Sequence, residues 1–133
     1  MSWHKIKRRR ADIEFSDYIR ELRGWRCEKC KKVCKVNGVL LHRLEASHYY
    51  SRRNESVRFD ENNVRVLCSG CHQRMGEHTR DENGEYDLWM KELLGEDEYK
   101  RLKIRANASG KRDDKLNLII IRAKMKELKE KEF

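Results

Sequence analysis

Two pairs of cysteines have the residue type and spacing of a metal site. Cys27 and Cys30 form one Cys-x-x-Cys motif, and Cys68 and Cys71 form another. A turn with this spacing supplies two thiolates at the angle that tetrahedral Zn²⁺ requires, so the two motifs together predict a structural zinc site. Zinc bound there would join distant parts of the chain and couple folding to metal binding.

The fifth cysteine, Cys34, is expected to pack as a small apolar side chain. Because the cysteine count of 5 is odd and four fall into short-spaced pairs, a reducing compartment and metal ligation are favoured over disulfides. The longest strictly apolar run is Leu118 to Ile121, and the N-terminus is polar and basic. We therefore expect a cytoplasmic protein without a signal peptide or membrane span.

Two histidines are expected to lie close together because of the zinc site. His48 ends a predicted strand that leads away from the first cysteine pair, and His72 directly follows Cys71. Metal binding at the two pairs would therefore bring the two imidazoles into one neighbourhood.

The first cysteine pair is expected to lie between a helix and a hairpin. Apolar residues recurring on one helical face predict a first helix from Ala11 to Arg23, ended by Gly24. The dipeptide Asn37-Gly38 between apolar residues predicts a β-hairpin, because both central residues of its turn need positive φ. Its second strand is expected to run toward His48.

The second cysteine pair is expected to lie between a strand and a helix. A polar loop rich in arginine follows His48, and alternating residues from Val64 to Leu67 predict a short strand. The second Cys-x-x-Cys should then open a helix that continues through Met75. This region thus reads as strand, loop, strand and helix.

The C-terminal part of the chain is expected to be helical. The segments Glu85 to Leu94 and Glu96 to Ala108 are each followed by a glycine that ends them, and a last helix begins near Asp113. One stripe of that last helix is apolar and is expected to be core or a dimer face, with its lysines facing solvent or DNA. The stripe consists of Leu118, Ile121, Met125 and Leu128.

Length and charge bound the class of protein. A chain of 133 residues is about one domain, and its formal charge of +9 and pI of about 9.4 favour a polyphosphate partner. We expect an α+β fold, with a basic flexible arm over residues 1–10, a zinc-stabilised domain over 11–95 and a basic helical extension over 96–133.

Several segments resemble a known nuclease family. The sequences SHYYSR and NVRVLCSGCH, with the two cysteine pairs, look like an HNH, or ββα-metal, endonuclease with a structural zinc. The longer pattern FSDYIRELRGWRCEKC, ASHYYSR, RFDENNVRVLC and YDLWMKELLG is closer still to the phage NinG (Rap) recombination proteins. The resemblance covers most of Phe15 to Gly95 and implies a ββα-metal core within 11–95. It also implies a metal-dependent DNA endonuclease in a bacterial or phage-infected cytoplasm.

The resemblance also implies a role for three residues. His48 matches the general base that takes a proton from the attacking water. Asn63 matches the asparagine that holds the loop and orients that histidine. His72 matches the ligand of a single catalytic Mg²⁺ or Mn²⁺, and the products would carry 5′-phosphate and 3′-hydroxyl ends.

Phosphodiester hydrolysis asks for these residue types independently of any family. It needs a base whose pKa lies near the working pH, for which a neutral imidazole is apt, and a cation that stabilises charge on the phosphate oxygens. His48 and His72 can supply the base and the metal anchor. Three arginines of the intervening loop can clamp neighbouring phosphates with forked hydrogen bonds. They are Arg52, Arg53 and Arg58.

Ser47 departs from the family pattern. Many HNH enzymes have an aspartate or histidine metal ligand immediately before the first histidine, and a serine hydroxyl is a poor anchor for a hard dication. Glu45 lies two residues earlier, on the same strand face as Ser47, and can supply the carboxylate. Asp60 and Glu61 in the loop are alternatives, and so is a weakly held metal with water and substrate phosphate in its shell.

The remaining histidines are weaker candidates. His78 would reach the metal site only if the helix after the second cysteine pair ended near Gly76, since six residues turn it about 120° away from His72. His42 and His4 are expected to be surface residues.

Two classes of function follow from the sequence. One is an endonuclease for branched DNA, such as Holliday junctions or D-loops, working as a homodimer through the C-terminal helices and with phage recombination proteins. The other is a zinc-stabilised nucleic-acid-binding module without catalysis. A sequence-specific HNH restriction or homing nuclease is a variant of the first.

Overall fold

The computed structural model of the protein describes residues 8–76, 81–110 and 113–131. Within these residues the fold is α+β, as predicted, with four helices and two small antiparallel sheets. The elements in chain order are α1 (Arg10–Leu22), β1 (Lys35–Val36), β2 (Val39–Leu40), β3 (Leu44–His48), β4 (Val64–Cys68), α2 (Ser69–Arg74), α3 (Glu85–Asn107) and α4 (Asp114–Glu130).

Strands β3 and β4 form the central ribbon of the molecule. They pair antiparallel, with Leu44 opposite Cys68 and His48 opposite Val64. Every residue of β4 is buried, because α1 and α2 pack against this ribbon. The predicted order of strand, loop, strand and helix is confirmed, and it leads directly from His48 to the second cysteine pair.

The predicted hairpin is present, but its second strand ends earlier than expected. Asn37 and Gly38 form the turn with φ of 49° and 79°, and β2 ends at Leu40. The backbone N–H groups of Leu41 and His42 both donate to the Cys34 carbonyl, at 2.7 and 3.2 Å, which turns the chain out of the ladder. The prediction that this strand runs to His48 is therefore wrong, since the strand ending there is β3, which pairs with β4 instead.

The hydrophobic core lies between α1, the ribbon and the two C-terminal helices. Phe15 and Ile19 of α1 are buried, as their spacing predicts, and Val66 of β4 and Met90 of α3 are fully buried. Ile121 of α4 is also buried, and Leu118, Met125 and Leu128 pack partly buried against the core. The apolar stripe predicted on the last helix therefore belongs to the core.

Helix α3 contains the break that its glycine predicts. Gly95 has φ of 79° and ψ of 161° within an otherwise continuous run of helix. Before the break, Asp87 accepts hydrogen bonds from the hydroxyls of Tyr49 and Tyr99. After it, Leu102 and Ala106 enter the core. The two halves thus pack at different angles onto the same body.

Helix α4 lies along α1. Its N-cap is Asp113, whose carboxylate accepts the N–H of Leu116 at 3.0 Å. Arg122 donates to both carboxylate oxygens of Glu14 on α1, at 2.7 and 2.9 Å. Among the described helices, none combines the length and apolar character that a membrane span requires.

Candidate metal centre and adjoining histidine site

The four paired cysteines converge at one point. The sulfur atoms of Cys27, Cys30, Cys68 and Cys71 all lie within 4.8 Å of one another, and Cys30 Sγ is 3.7 Å from Cys68 Sγ. A tetrahedral Zn²⁺ with Zn–S bonds of about 2.3 Å requires S···S separations of about 3.8 Å. The cluster is therefore sized for a metal ion such as zinc, as the sequence predicts.

Glu28, inside the first motif, brings the two motifs together. Its backbone N–H donates to the Val66 carbonyl at 2.9 Å, and its carboxylate accepts the N–H of Val66 at 2.7 Å. Val66 lies two residues before Cys68 on β4, so these bonds fix the first turn beside the second motif. This role of Glu28 was not predicted from the sequence.

The environment of the thiols favours a bound cation. Burial raises the pKa of Cys27, but nearby backbone N–H groups outweigh burial and lower it to about 7. Burial and the crowding of the other thiols raise the pKa of Cys71 to about 12. Four packed thiols cannot all ionise against one another, whereas a divalent cation at their centre stabilises every thiolate. Cys34 is buried nearby, and its Sγ lies 3.6 Å from the Lys32 carbonyl, consistent with a packing role.

Asn63 clamps the loop between β3 and β4. Its side chain is fully buried, and its Oδ1 accepts the N–H of Tyr50 at 2.8 Å. Its Nδ2 donates to the carbonyls of Tyr50 at 2.9 Å and Val57 at 3.1 Å. The loop begins immediately after His48, so this clamp fixes the chain on the C-terminal side of that histidine.

His48 is buried at the end of β3. Its Nε2 lies 3.0 Å from the Arg58 carbonyl, and because a carbonyl oxygen only accepts, Nε2 carries the proton and Nδ1 has the basic lone pair. Burial and the nearby Arg52 charge lower the pKa of His48 to about 4, against the opposing effect of the Arg58 carbonyl. The imidazole is therefore neutral at physiological pH.

Glu45 and His72 form a contact pair across the ribbon and α2. Nδ1 of His72 hydrogen-bonds Oε2 of Glu45, and both side chains are partly exposed. The other oxygen of Glu45 accepts from the hydroxyl of Ser69 and lies 3.3 Å from Nε of Arg43. An imidazole nitrogen and a carboxylate oxygen thus meet on one accessible surface.

The other carboxylates considered for this site lie elsewhere. Asp60 accepts from Arg105 of α3 at 2.7 Å, and Glu61 accepts from Lys124 of α4 at 2.8 Å. Ser47 is buried, and the Tyr86 hydroxyl donates to its Oγ at 3.0 Å. Of the acids named from the sequence, Glu45 is the one that the fold brings to His72.

A polar cleft of about 260 Å³ adjoins the Glu45 and His72 pair. Four arginines from α1, its preceding residues and both ends of β3 contribute to its wall, so the cleft combines a carboxylate and an imidazole with a high density of positive charge. These arginines are Arg8, Arg20, Arg43 and Arg52. Arg52 was named from the sequence and Arg8 lies in the predicted basic arm. Arg20 and Arg43 were not predicted, although Arg43 shares a strand face with Glu45 by period two.

Arg58 has a different place from the one expected. It is buried, and its Nε donates to Asp12 of α1 at 2.8 Å while its Nη1 donates to the Arg52 carbonyl at 3.0 Å. Burial raises the pKa of Asp12, but the hydrogen bonds from Arg58 and Arg9 outweigh it and hold that pKa below its ordinary value. The expectation that Arg58 clamps phosphate is corrected: it anchors the loop to α1.

The remaining predicted residues fall outside the cleft. Arg53 is exposed on the loop, and His42 is exposed after the hairpin. His4, with most of the predicted basic arm, and His78 lie outside the described residues. Comparisons of the chain with protein-family models, curated proteins and solved structures found no match.

Proposed function

We propose that this protein is a metal-dependent DNA endonuclease of the HNH, or ββα-metal, type. One observation carries the proposal: the Arg58 carbonyl accepts from a neutral histidine at the end of β3, the strand that also presents Glu45 to His72, and Asn63 clamps the loop that follows. These residues would supply a base and a metal-binding pair from one short ribbon. The similarity of its sequence pattern to the phage NinG (Rap) proteins supports the same class.

Two metal sites of different character fit the donor sets. Four thiolates suit a closed structural Zn²⁺ site, whereas one imidazole and one carboxylate at a polar cleft suit Mg²⁺ or Mn²⁺, which keep several waters. His72 and Glu45 would hold the second ion. When bound, that ion stabilises negative charge on the phosphate and on the departing oxygen.

The residues of the chain divide the remaining chemistry. His48 takes the proton of the attacking water at Nδ1, because Nε2 is already committed to the Arg58 carbonyl. The new P–O bond forms as the bond to O3′ breaks, and the departing 3′ oxyanion takes a proton from solvent water, which leaves a 5′-phosphate and a 3′-hydroxyl. Arg20, Arg43 and Arg52 hold the phosphate oxygens in the cleft.

Branched DNA is the proposed substrate, with shape rather than base sequence as the determinant. The formal charge of +9 suits contact with several phosphates, and such contacts position a protein without reading sequence. Cleavage of two strands at a junction would call for a dimer, and recombination proteins are the partners that the resemblance suggests.

The test is cleavage of a labelled four-way junction beside linear duplexes of the same sequences, with Mg²⁺ or Mn²⁺ added or withheld. Wild type is compared with His48→Ala and His72→Ala, and Gln73→Ala serves as a control on the exposed neighbour of His72. We expect metal-dependent cuts on the junction by wild type and the control. Both histidine variants should bind the junction and lose cutting. For His48→Ala the loss should be at least about 100-fold, the usual contribution of a general base.

Other outcomes would redirect the proposal. Binding without cleavage by wild type on every substrate and metal would favour the zinc-stabilised binding module. Cleavage of one linear sequence as efficiently as the junction would favour an HNH restriction or homing nuclease. Unimpaired cleavage by His48→Ala would remove His48 from the role of base.

A further inference from the structure

The hairpin of β1 and β2 exposes an unusual amount of apolar surface. Every residue from Val36 to Arg43 is exposed. Val39 and Leu40 are each 59% exposed and Leu41 is 54% exposed. Three adjacent exposed aliphatic side chains form an apolar surface patch, and such patches are typical of interaction sites.

All charged residues of the segment that carries this patch are basic. The segment 29–43, KCKKVCKVNGVLLHR, contains four lysines and one arginine and no aspartate or glutamate. Apolar side chains flanked in sequence by cations complement a partner that combines apolar faces with negative charge, as nucleic-acid bases and phosphates do.

The hairpin rises from a fixed base. Cys34, immediately before β1, donates its backbone N–H to the Trp25 carbonyl at 2.8 Å, and Lys35 Nζ lies 4.2 Å from the centre of the Trp25 ring. The preceding turn carries Cys27 and Cys30 of the cysteine cluster. A metal ion in that cluster would hold the base while the hairpin end remains exposed.

The hairpin also leads directly into the polar cleft. Arg43, two residues after Leu41, lines the cleft with His72, and its Nε lies 3.3 Å from Glu45. DNA held by the exposed hairpin would therefore place a neighbouring phosphate at the arginines of the cleft.

We propose that Val39, Leu40 and Leu41 form a wedge that contacts unstacked bases at a DNA branch point while the surrounding lysines bind the flanking phosphates. The inference deepens the proposed function and rests on its DNA-binding part. Aliphatic side chains are known to enter weakened base steps, and a branch point has already lost some of its stacking, so insertion there costs less than in continuous duplex. The wedge thereby supplies preference for branched over linear DNA.

The test compares two triple variants in the full chain carrying His48→Ala, which keeps the DNA uncut. One removes the wedge by Val39→Ser, Leu40→Ser and Leu41→Ser. The other removes similarly exposed aliphatic residues elsewhere by Ile104→Ser, Leu116→Ser and Ile119→Ser, which are 70%, 51% and 65% exposed. Dissociation constants are measured for a four-way junction and a linear duplex, with 2-aminopurine at the branch point reporting unstacking.

We expect the parent and the control triple to bind the junction more tightly than the duplex and to raise 2-aminopurine fluorescence. The wedge triple should lose about tenfold in junction affinity, keep its duplex affinity within about twofold, and produce no fluorescence rise. The single variant Leu40→Ser should show a smaller loss of junction affinity and a smaller fluorescence rise than the parent. It replaces the triple variant if the triple variant does not give the circular dichroism spectrum of a folded protein.

Three results would overturn the wedge. The first is unchanged junction affinity and fluorescence in the wedge triple, and the second is an equal loss on junction and duplex. The third is failure of the parent to bind DNA while it sediments with phosphatidylserine vesicles in a wedge-dependent manner, which would assign the patch to a membrane surface. This experiment measures binding and does not require cleavage. Its result can therefore support or contradict the wedge independently of whether the protein proves to be a nuclease.

Discussion

Burial and one hydrogen bond set the charge and the tautomer of His48. The Arg58 carbonyl fixes the tautomer, and burial keeps the ring neutral far below the ordinary pKa of histidine. Neither effect depends on the surface charge of the molecule as a whole. Both depend on the loop that Asn63 and Arg58 hold in place.

The neutral state of His48 predicts a pH dependence of stability. Its pKa is about 4 in the folded protein and 6.5 ordinarily, so between these values the unfolded chain binds a proton that the folded chain does not. The free energy of unfolding should therefore fall as pH is lowered from 6.5 to 4, by about 3 kcal/mol from this residue. Urea unfolding at several pH values should show this loss in wild type.

The control for this prediction is His48→Gln, which keeps an N–H donor but does not titrate. Its free energy of unfolding should fall less steeply over the same pH range. Parallel curves for the two proteins would show that His48 is not the group responsible.

The hydrogen bonds of Asn63 predict that its side chain contributes strongly to the free energy of unfolding. Asn63→Ala would leave three buried backbone groups of Tyr50 and Val57 without their partner, at a cost of about 3 kcal/mol in the free energy of unfolding. The neighbouring Asn62→Ala removes a partly buried bond to Glu98 and a smaller amount of stability, about 1 kcal/mol. Equal losses measured by urea unfolding would contradict the clamp.

The loop between β3 and β4 is fixed by hydrogen bonds with Asn63 and with α3. Asn63 binds it from within, and α3 binds it from outside, where Ser56 Oγ donates to the Arg105 carbonyl at 2.6 Å and Asn54 Nδ2 donates to the Ala106 carbonyl at 3.2 Å. The second half of α3 therefore supports the loop that carries Arg52. This support depends on the break at Gly95, which lets that half reach the loop.

The break in α3 predicts a specific cost for one substitution. Gly95 has φ of 79° and ψ of 161°, a backbone region that residues with a Cβ scarcely occupy. Gly95→Ala should lower the free energy of unfolding by about 1–3 kcal/mol, measured by thermal or urea unfolding. Gly70→Ala in α2 is the matched control, because φ there is not positive and no atom lies within 4 Å of the added Cβ.

The control should leave stability unchanged or raise it slightly, since alanine favours a helix more than glycine does. If Gly95→Ala were as stable as Gly70→Ala, α3 could run straight in solution and the loop contacts with its second half would need another explanation.

At the scale of the whole molecule, the cysteine cluster joins parts of the chain that lie far apart in sequence. It links the turn after α1 to the end of β4 and the start of α2, and the hairpin rises from the same turn. A bound metal ion would therefore stabilise α1, the hairpin and the ribbon together.

Metal removal tests this linkage. A chelator strong enough to strip zinc should reduce helical circular dichroism and lower the unfolding temperature, and readdition of zinc should restore both. Native mass spectrometry should find one zinc in wild type and in Cys34→Ala, and none in Cys68→Ser. An unchanged spectrum after complete removal of zinc would show that the hydrogen bonds of Glu28 suffice to hold the two motifs.

The sequence by itself determined the features that depend on neighbours along the chain. The paired cysteines, the helix with Phe15 and Ile19 on one face, the Asn37-Gly38 turn and the break at Gly95 follow from local spacing and backbone preference, and the structure contains each of them. The place of His48 at a strand end was also predictable, because a polar loop follows it directly.

Only the tertiary structure decided which distant groups meet. Arg58 is buried in hydrogen bonds to Asp12, 46 residues away, while Arg52, 3.7 Å from the same carboxylate, also lines the cleft. Likewise Glu45 was named from the sequence with Asp60 and Glu61 as alternatives, and the packing of β3 beside α2 set Glu45 against His72. Pairings of this kind depend on the register of β3 with β4 and on the packing of α1 and α3, which local spacing does not encode.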